Sequence, residues 1–448
     1  MLDWLIDLGP IWLTVILFGS LVVALAAGLP LVFALGGVAT LFVIFLWGPD
    51  ALAVLANRTY MAMGMFMLVA VPMFIFMGAM LQRAGIAEDL YNMMYHWMGG
   101  LRGGLAAGTV LICTLFAAMV GISGAATTSM GLLALPSMLK RKYNKDIAIG
   151  CVSAGGALGI LIPPSILMII LALFARLSVG KLFMGGVFSG LLLSGLFVSY
   201  ILVRSFFQKD LAPGVPAEER LPTRQRVMLI PSLILPIALI IVVMGSIFLG
   251  FATPSEASAV GAFGAIVSAA IKRRLSLKNF IDALFVTLRL SCMVIWIVFA
   301  ASVFTSLYAI TGATEMIGDL LLAVPGRWGS LIVMQLVFFV MGCFFDPTGI
   351  VMITTPIFFP VVRALGFDPL WFGVLFVINM EMAFLTPPFG FNLFYMKAVV
   401  PPGVTMMDIY KSIVPFVVLQ LIGLIICMIF PQIITWLPSI MIGKEAIA

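Results

Sequence analysis

The sequence predicts an all-α polytopic membrane protein built from two inverted-topology repeats, each with one re-entrant helical hairpin and one discontinuous helix. Three observations carry that expectation. Of 448 residues, 63% are hydrophobic and only 9% charged, with a mean hydropathy of +1.24, whereas a soluble domain carries roughly 25% charged residues. Proline and glycine landmarks recur at an offset of 224 positions, half the chain length. Lysine and arginine concentrate in alternate loops, as the positive-inside rule requires.

Apolar runs able to cross a hydrocarbon core of about 30 Å, roughly 20 residues of helix, recur from end to end. They are read as spans 11–28, 30–47, 61–82, 183–204, 227–249, 256–271, 281–304 and 410–432, with hairpins at 104–139 and 330–362 and broken helices at 147–175 and 370–397. The first run follows Asp3 and Asp7 without any basic residue, so it reads as a retained span and not as a cleaved signal. "SFFQKDLAPGVPAEERLPTRQR", 205–226, is the one long polar connection. It divides the chain into a first repeat, 1–204, and a second, 227–448, with the linker on the cytoplasmic side.

Internal similarity supports that division. Pro163-Pro164 in "GILIPPSI" recurs as Pro387-Pro388 in "AFLTPPFG", and Pro136 recurs as Pro360. The same offset pairs Pro30 with Pro254 and Gly37 with Gly261. With the "KRKYNK" loop placed inside, 17 Lys and Arg fall in cytoplasmic loops (83–102, 140–145, 204–226, 272–278 and 397–411) and six fall outside: Arg58, Arg176, Lys181, Arg327, Arg363 and Lys444. Arg289 lies within a span. This asymmetry requires both hairpins to enter and leave on one side, the first from the cytoplasm and the second from outside. Matching elements of opposite orientation mark inverted-repeat secondary transporters.

Each hairpin has a small, polar tip where an uninterrupted helix would carry leucine: "VGISGAATTSMG" around Ser123 and Gly124, and "GCFFDPTGIVMITTP" around Asp346 and Gly349. A broken backbone at membrane depth must be satisfied by protein, water or an ion, and freed carbonyls with Ser, Thr and Asp oxygens suit sodium. The breaks, Gly159–Ser165 and Thr386–Gly390, add a double proline that deletes two helical hydrogen bonds and leaves upstream carbonyls free. Two tips each facing one break would form two related ion sites with a solute between them, and Ser165, Thr127, Asn392 and Gly390 are the solute-binding candidates. The bland readings are a helix-packing face of small residues and a simple kink. Glu381 and Asp346 are the deepest acids, and charges at such depth are functional hypotheses by default. Arg289 reads equally as a snorkelling side chain. Asn379 and Asn392 flank the second break, with Asn392 the better donor to a carboxylate.

Enzyme and nucleic-acid functions fit poorly. The lone His96 lies in "YNMMYHWMGG", an interfacial surface segment. The five cysteines lie in apolar stretches without CxxC spacing and read as packing residues. No nucleophile–base set, metal cluster or nucleotide loop is visible, so no cofactor is expected and the net charge of +6 reads as topology signal.

"GFATPSEASAVGA", "GALGILIPPS", "LTPPFGFN" and "GISGAATTSMG" together resemble the large membrane (M) subunit of tripartite ATP-independent periplasmic (TRAP) transporters, a DctM-like chain, over essentially the whole length. "MITTPIFFPVVRALGFDPLWFG" further resembles the branch associated with 2-oxo acids and other monocarboxylates. The resemblance implies a sodium-coupled importer of organic anions with an elevator-type transport domain, in the bacterial inner membrane. It implies two partners on separate chains: a small four-helix membrane subunit and a periplasmic substrate-binding protein. It maps the sodium sites onto Ser123, Gly124, Gly159 and Pro163, and onto Asp346, Gly349, Thr386 and Pro387. A stand-alone inverted-repeat sodium/anion symporter and a non-transporting membrane scaffold remain as alternatives.

The loop charges make a direct prediction. With native cysteines replaced, single cysteines in loops 140–146 and 363–369 should differ in reach of a membrane-impermeant thiol reagent, only the second labelling in intact cells. Equal labelling of both would end the inverted-repeat reading.

Overall fold

Inside hydrocarbon a backbone amide has no water to bond, so a chain of this composition must close its hydrogen bonds within helices. The computed structural model describes residues 9–388 and 390–442, and among them every regular element is helical. Asp3, Asp7 and Lys444, which enter the charge reading, lie outside the described residues.

The first half comprises α1 (Gly9–Ala26), α2 (Leu31–Trp47), α3 (Leu52–Met63), α4 (Ala70–Arg83), α5 (Ile86–Met98), α6 (Gly104–Val120), α7 (Ser123–Lys140), α8 (Lys145–Ala157), α9 (Ile166–Ala175) and α10 (Val179–Phe207). A short α11 (Thr223–Val227) follows. The second half comprises α12 (Ile234–Phe248), α13 (Pro254–Ile271), α14 (Leu277–Ile310), α15 (Ala313–Leu322), α16 (Arg327–Gly342), α17 (Pro347–Ala364), α18 (Pro369–Phe384), α19 (Phe391–Val399), α20 (Met406–Ile429) and α21 (Gln432–Ser439). Eight helical stretches among the described residues are long and apolar enough to cross a membrane. The protein is therefore an all-helical polytopic membrane protein.

Helices α15 and α21 and all but the last three residues of α3 fall outside the expected spans. Each is short, and Arg58 in α3, Glu315 and Asp319 in α15 and Pro438 in α21 dilute the apolar signal. Four expected packing cysteines are buried, but Cys292 is exposed on α14, which corrects the reading of all five as core. Arg289 is also exposed on α14, in agreement with a snorkelling side chain. His96 lies half-buried on α5, whose Ile86, Leu90 and Met93 form its buried face.

Helix order and interruption repeat through the chain. The 18-residue α7 begins at Ser123 and the 18-residue α17 at Pro347, 224 positions later, and Pro163-Pro164 and Pro387-Pro388 both have cis peptide bonds. The second limb of each broken helix leaves its own half: α9 packs on α17, and α19 packs on α7. Around this interlocked centre, α4 packs on α13 and on α14, which also packs on α2.

Local chemistry explains several helix starts. In "GFATPSEASAVGA", Thr253 Oγ1 accepts from the Glu256 amide at 3.3 Å while Glu256 Oε2 accepts from the Thr253 amide at 2.8 Å. With Pro254 in the first turn, this is a capping box opening α13. Thr405 and Asp408 form a second one at α20.

The linker is docked despite its polar composition. The amides of Gly103 and Asn144 donate to Ala212 and Leu211, Val215 donates to Gly99 at 2.7 Å, and Ala212 and Val215 are buried. Arg141 bonds Glu219 through both terminal guanidinium nitrogens and holds its carboxylate below the usual range. Lys272 pairs with Asp89 at 2.5 Å, tying the end of α13 to α5.

Candidate functional site

The first hairpin turns at Gly121 and Ile122 between α6 and α7. Gly121 has φ +66°, and a Cβ there would lie 2.3 Å from the Pro164 carbonyl oxygen, so only glycine fits both the left-handed turn and the contact. Across the same contact, a Cβ at Gly159 would come within 3.0 Å of the Ser123 amide nitrogen. The first tip therefore presses directly on the first break, and residues 158–165 are wholly buried.

Ser165 serves the break itself. Its hydroxyl donates to the Ile160 carbonyl at 2.5 Å and accepts from the Met168 amide at 3.4 Å, which opens α9. A carbonyl and an amide left over by the interruption are thus satisfied by one side chain, as burial demands.

From the other half, Asn392, in the first turn of α19, enters the same region and is fully buried. Ser123 Oγ donates to Asn392 Oδ1 at 2.9 Å and Thr127 Oγ1 donates to the same oxygen at 2.6 Å, while Asn392 Nδ2 donates to the Ser153 carbonyl at 2.6 Å. Hydroxyls that donate in this way keep their own lone pairs, so Ser123 and Thr127 retain acceptor capacity for a cation or a donor group. Gly124 faces the ring of Tyr395, one turn further along α19, and a Cβ there would stand 2.8 Å from Tyr395 Cζ. Gly390 precedes α19 with φ +25°, and its carbonyl accepts from Leu393 at 2.7 Å.

The second tip is arranged differently. Asp346 is half-buried, and its Oδ1 accepts from the Thr348 amide at 2.9 Å, capping α17 with Pro347 in the first turn. Gly349 sits against α2, where a Cβ would lie 3.2 Å from Leu31 Cδ2. Thr386 Oγ1 donates back to the Met382 carbonyl at 2.9 Å, and Pro387 is exposed where Pro163 is buried. Among the described residues no hydrogen bond joins Asp346 or Gly349 to Thr386 or Pro387. The positions that match Ser123, Thr127, Asn392 and Ser153 by the 224 offset are Pro347, Val351, Met168 and Val377, so the polar cluster has no counterpart.

The structure thus gathers Ser123, Gly124, Thr127, Gly159, Pro163, Ser165 and Asn392 around one contact and leaves Asp346, Gly349, Thr386 and Pro387 spread along the second tip and break. Sequence reasoning overlooked Ser153, which acts through its backbone, and Tyr395. It also overlooked Gln335 and Gln420, amides in apolar helices: Gln335 Oε1 accepts from Asn379 Nδ2 at 2.8 Å, and Gln420 Nε2 donates to Glu381 Oε1 at 3.1 Å. A lone glutamine within an apolar run was the available signal in both "IVMQLVFF" and "VVLQLIG".

Asn392→Leu should be the costliest change at this contact, because it strands two hydroxyls and a carbonyl, at about 1–3 kcal/mol for each buried group that finds no other partner. Ser123→Ala and Thr127→Val should each cost less, since the other hydroxyl still serves Asn392. Apparent melting temperatures of the three purified variants check the order, and equal losses would show that Asn392 does not organise the cluster.

Comparison with known proteins agrees with this architecture. Residues 18–433 match the family described as the DctM component of the tripartite ATP-independent periplasmic transporter. The chain is 32% identical over 407 residues to the C4-dicarboxylate TRAP transporter large permease protein DctM of Pseudomonas aeruginosa, covering 90% of this chain and 93% of the relative. It is 31% identical to the isethionate TRAP transporter permease protein DctMQ of Oleidesulfovibrio alaskensis, covering 93% of this chain and 65% of that longer relative. In fold it resembles the YdaH transporter of Alcanivorax borkumensis, with a TM-score of 0.61 at 15% identity over 87% of this chain and 91% of the other.

Proposed function

Given that the chain belongs to the DctM family of TRAP transporters, large multi-pass permeases of the bacterial inner membrane and not enzymes, we propose that it imports small organic acid anions with sodium as the coupling ion. The observation that carries this reading is the cluster where the first hairpin tip, the first break and Asn392 of the other half meet. Such a contact supplies hydroxyl and carbonyl oxygens, the hard ligands that sodium prefers.

In this proposal Ser123, Gly124, Gly159 and Pro163 form the first sodium site, and Asp346, Gly349, Thr386 and Pro387 the second. Ser165, Thr127, Asn392 and Gly390 border the solute between them. The two halves are inverted in the membrane, and the centre of hairpins and broken helices moves as an elevator against α2, α4, α13 and α14. The chemical class of cargo is supported by the names of relatives that carry C4-dicarboxylates and isethionate, both organic acid anions. A small four-helix membrane subunit and a periplasmic binding protein complete the system as separate chains.

Reconstitution with both partners in proteoliposomes tests coupling. Uptake should follow an inward sodium gradient and collapse when a pH gradient of equal size replaces it. Full activity on protons alone would refute sodium coupling, and sodium-independent binding without any uptake would favour a scaffold.

Asp346 provides the finer test. Its Oδ1 is engaged in capping, so a role in sodium binding falls to the second oxygen and the charge. Asp346→Asn keeps the cap, because asparagine caps nearly as well as aspartate, and should raise the sodium concentration for half-maximal uptake without loss of folded protein. An unchanged sodium response would assign Asp346 to capping alone.

A further inference from the structure

Glu381 lies in the last turns of α18, just before the second break, and is fully buried. Among the described residues its carboxylate accepts one hydrogen bond, from Gln420 Nε2 on α20, at 3.1 Å. Two atoms of this same pair have no partner among the described residues: Glu381 Oε2 and Gln420 Oε1. Both are acceptors if Glu381 is ionised, and neither can then satisfy the other.

Charge offers no relief. Every charged side chain on the helices packed against α18 lies within the first two turns or the last turn of its helix: Lys181 and Arg204 on α10, Arg327 on α16, Arg363 on α17, Lys397 on α19, Asp408 and Lys411 on α20. None of them bonds Glu381. An unpaired carboxylate at such depth costs several kcal/mol, whereas a neutral acid needs only hydrogen-bond partners.

We propose that Glu381 is a proton-binding site: its carboxyl carries a proton on Oε2 and donates it to Gln420 Oε1, closing a cyclic acid–amide pair with the bond already present. One proton then satisfies both orphaned oxygens. The pair fastens α18 to α20 immediately upstream of the second break without placing a charge there. On the opposite side of the same helix, Asn379 and Gln335 make a neutral amide pair, so α18 is held by uncharged polar pairs on two faces. Glu381 is accordingly a positioning residue, and it adds no negative charge to the second break.

This inference stands on the pair geometry and is independent of the transport reading, so its test need not involve uptake. In protein reconstituted in lipid at neutral pH, infrared spectroscopy should show the C=O stretch of a protonated carboxylic acid. That band should vanish in Glu381→Gln and shift in Gln420→Met, which leaves the acid but removes its partner. Glu381→Gln should also melt within a few degrees of the parent, because two amides close the same ring, whereas Glu381→Ala should melt well below it. Should Glu381→Gln not insert, the shift in Gln420→Met makes the assignment. Absence of the band in the parent protein, as expected for a carboxylate balanced by a metal cation, would overturn the proposal, as would a band unchanged in both variants.

Discussion

A helix interrupted at membrane depth releases carbonyl and amide groups that lipid cannot satisfy, and in this chain the demand falls on two proline pairs. Much of the surrounding arrangement answers it. At the first break, Ser165 returns one hydrogen bond to Ile160 and accepts another from Met168, and the hairpin tip closes over the rest through Gly121 and Gly159. Glycine is needed there because a side chain would fill the space in which the two backbones meet. The contact is thus dictated first by hydrogen-bond satisfaction, and it becomes a candidate binding site because satisfaction there leaves hydroxyl lone pairs unspent.

The second break answers the same demand more loosely. Thr386 bonds within its own helix, Asp346 caps the neighbouring hairpin arm, and Pro387 reaches the surface. The halves share a frame of helices and breaks but not a set of polar side chains. The polar cluster at the first break draws Ser123, Thr127 and Ser153 from one half and Asn392 from the other, so what the two halves share here is backbone geometry.

Part of this was legible in the sequence because proline and glycine act locally: the interruptions at Pro163-Pro164 and Pro387-Pro388, and the common register of α7 and α17, can be read from Pro136, Pro163, Pro360 and Pro387. Asn392 was legible as a polar residue beyond a proline pair. Its acceptor, the Ser153 carbonyl, was not, because a backbone oxygen leaves no mark on residue identity. Gln335 and Gln420 escaped because neither lies at a hairpin tip or beside a proline break, although an amide in an apolar run makes the same demand for a partner. The family hallmark around Thr253 and Glu256 was legible as a motif, yet its physical content, a capping box at the start of α13, emerges only from hydrogen-bond geometry. Which half-helix packs on which hairpin is tertiary information that periodicity does not contain.

That packing choice has a consequence for how the chain can exist at all. Because α9 completes the second hairpin and α19 completes the first, each half is an open structure whose missing piece is carried by the other, the relation found in domain-swapped dimers. The polypeptide is in effect such a dimer joined end to end by a tether, itself stitched to the base of the first hairpin by backbone bonds from Gly103, Asn144 and Val215. During synthesis the first hairpin must wait with an uncovered flank until some 270 further residues have emerged, the separation between Ser123 and Asn392. In the membrane that interval is the period in which the nascent chain is most open to pairing with the wrong copy of itself.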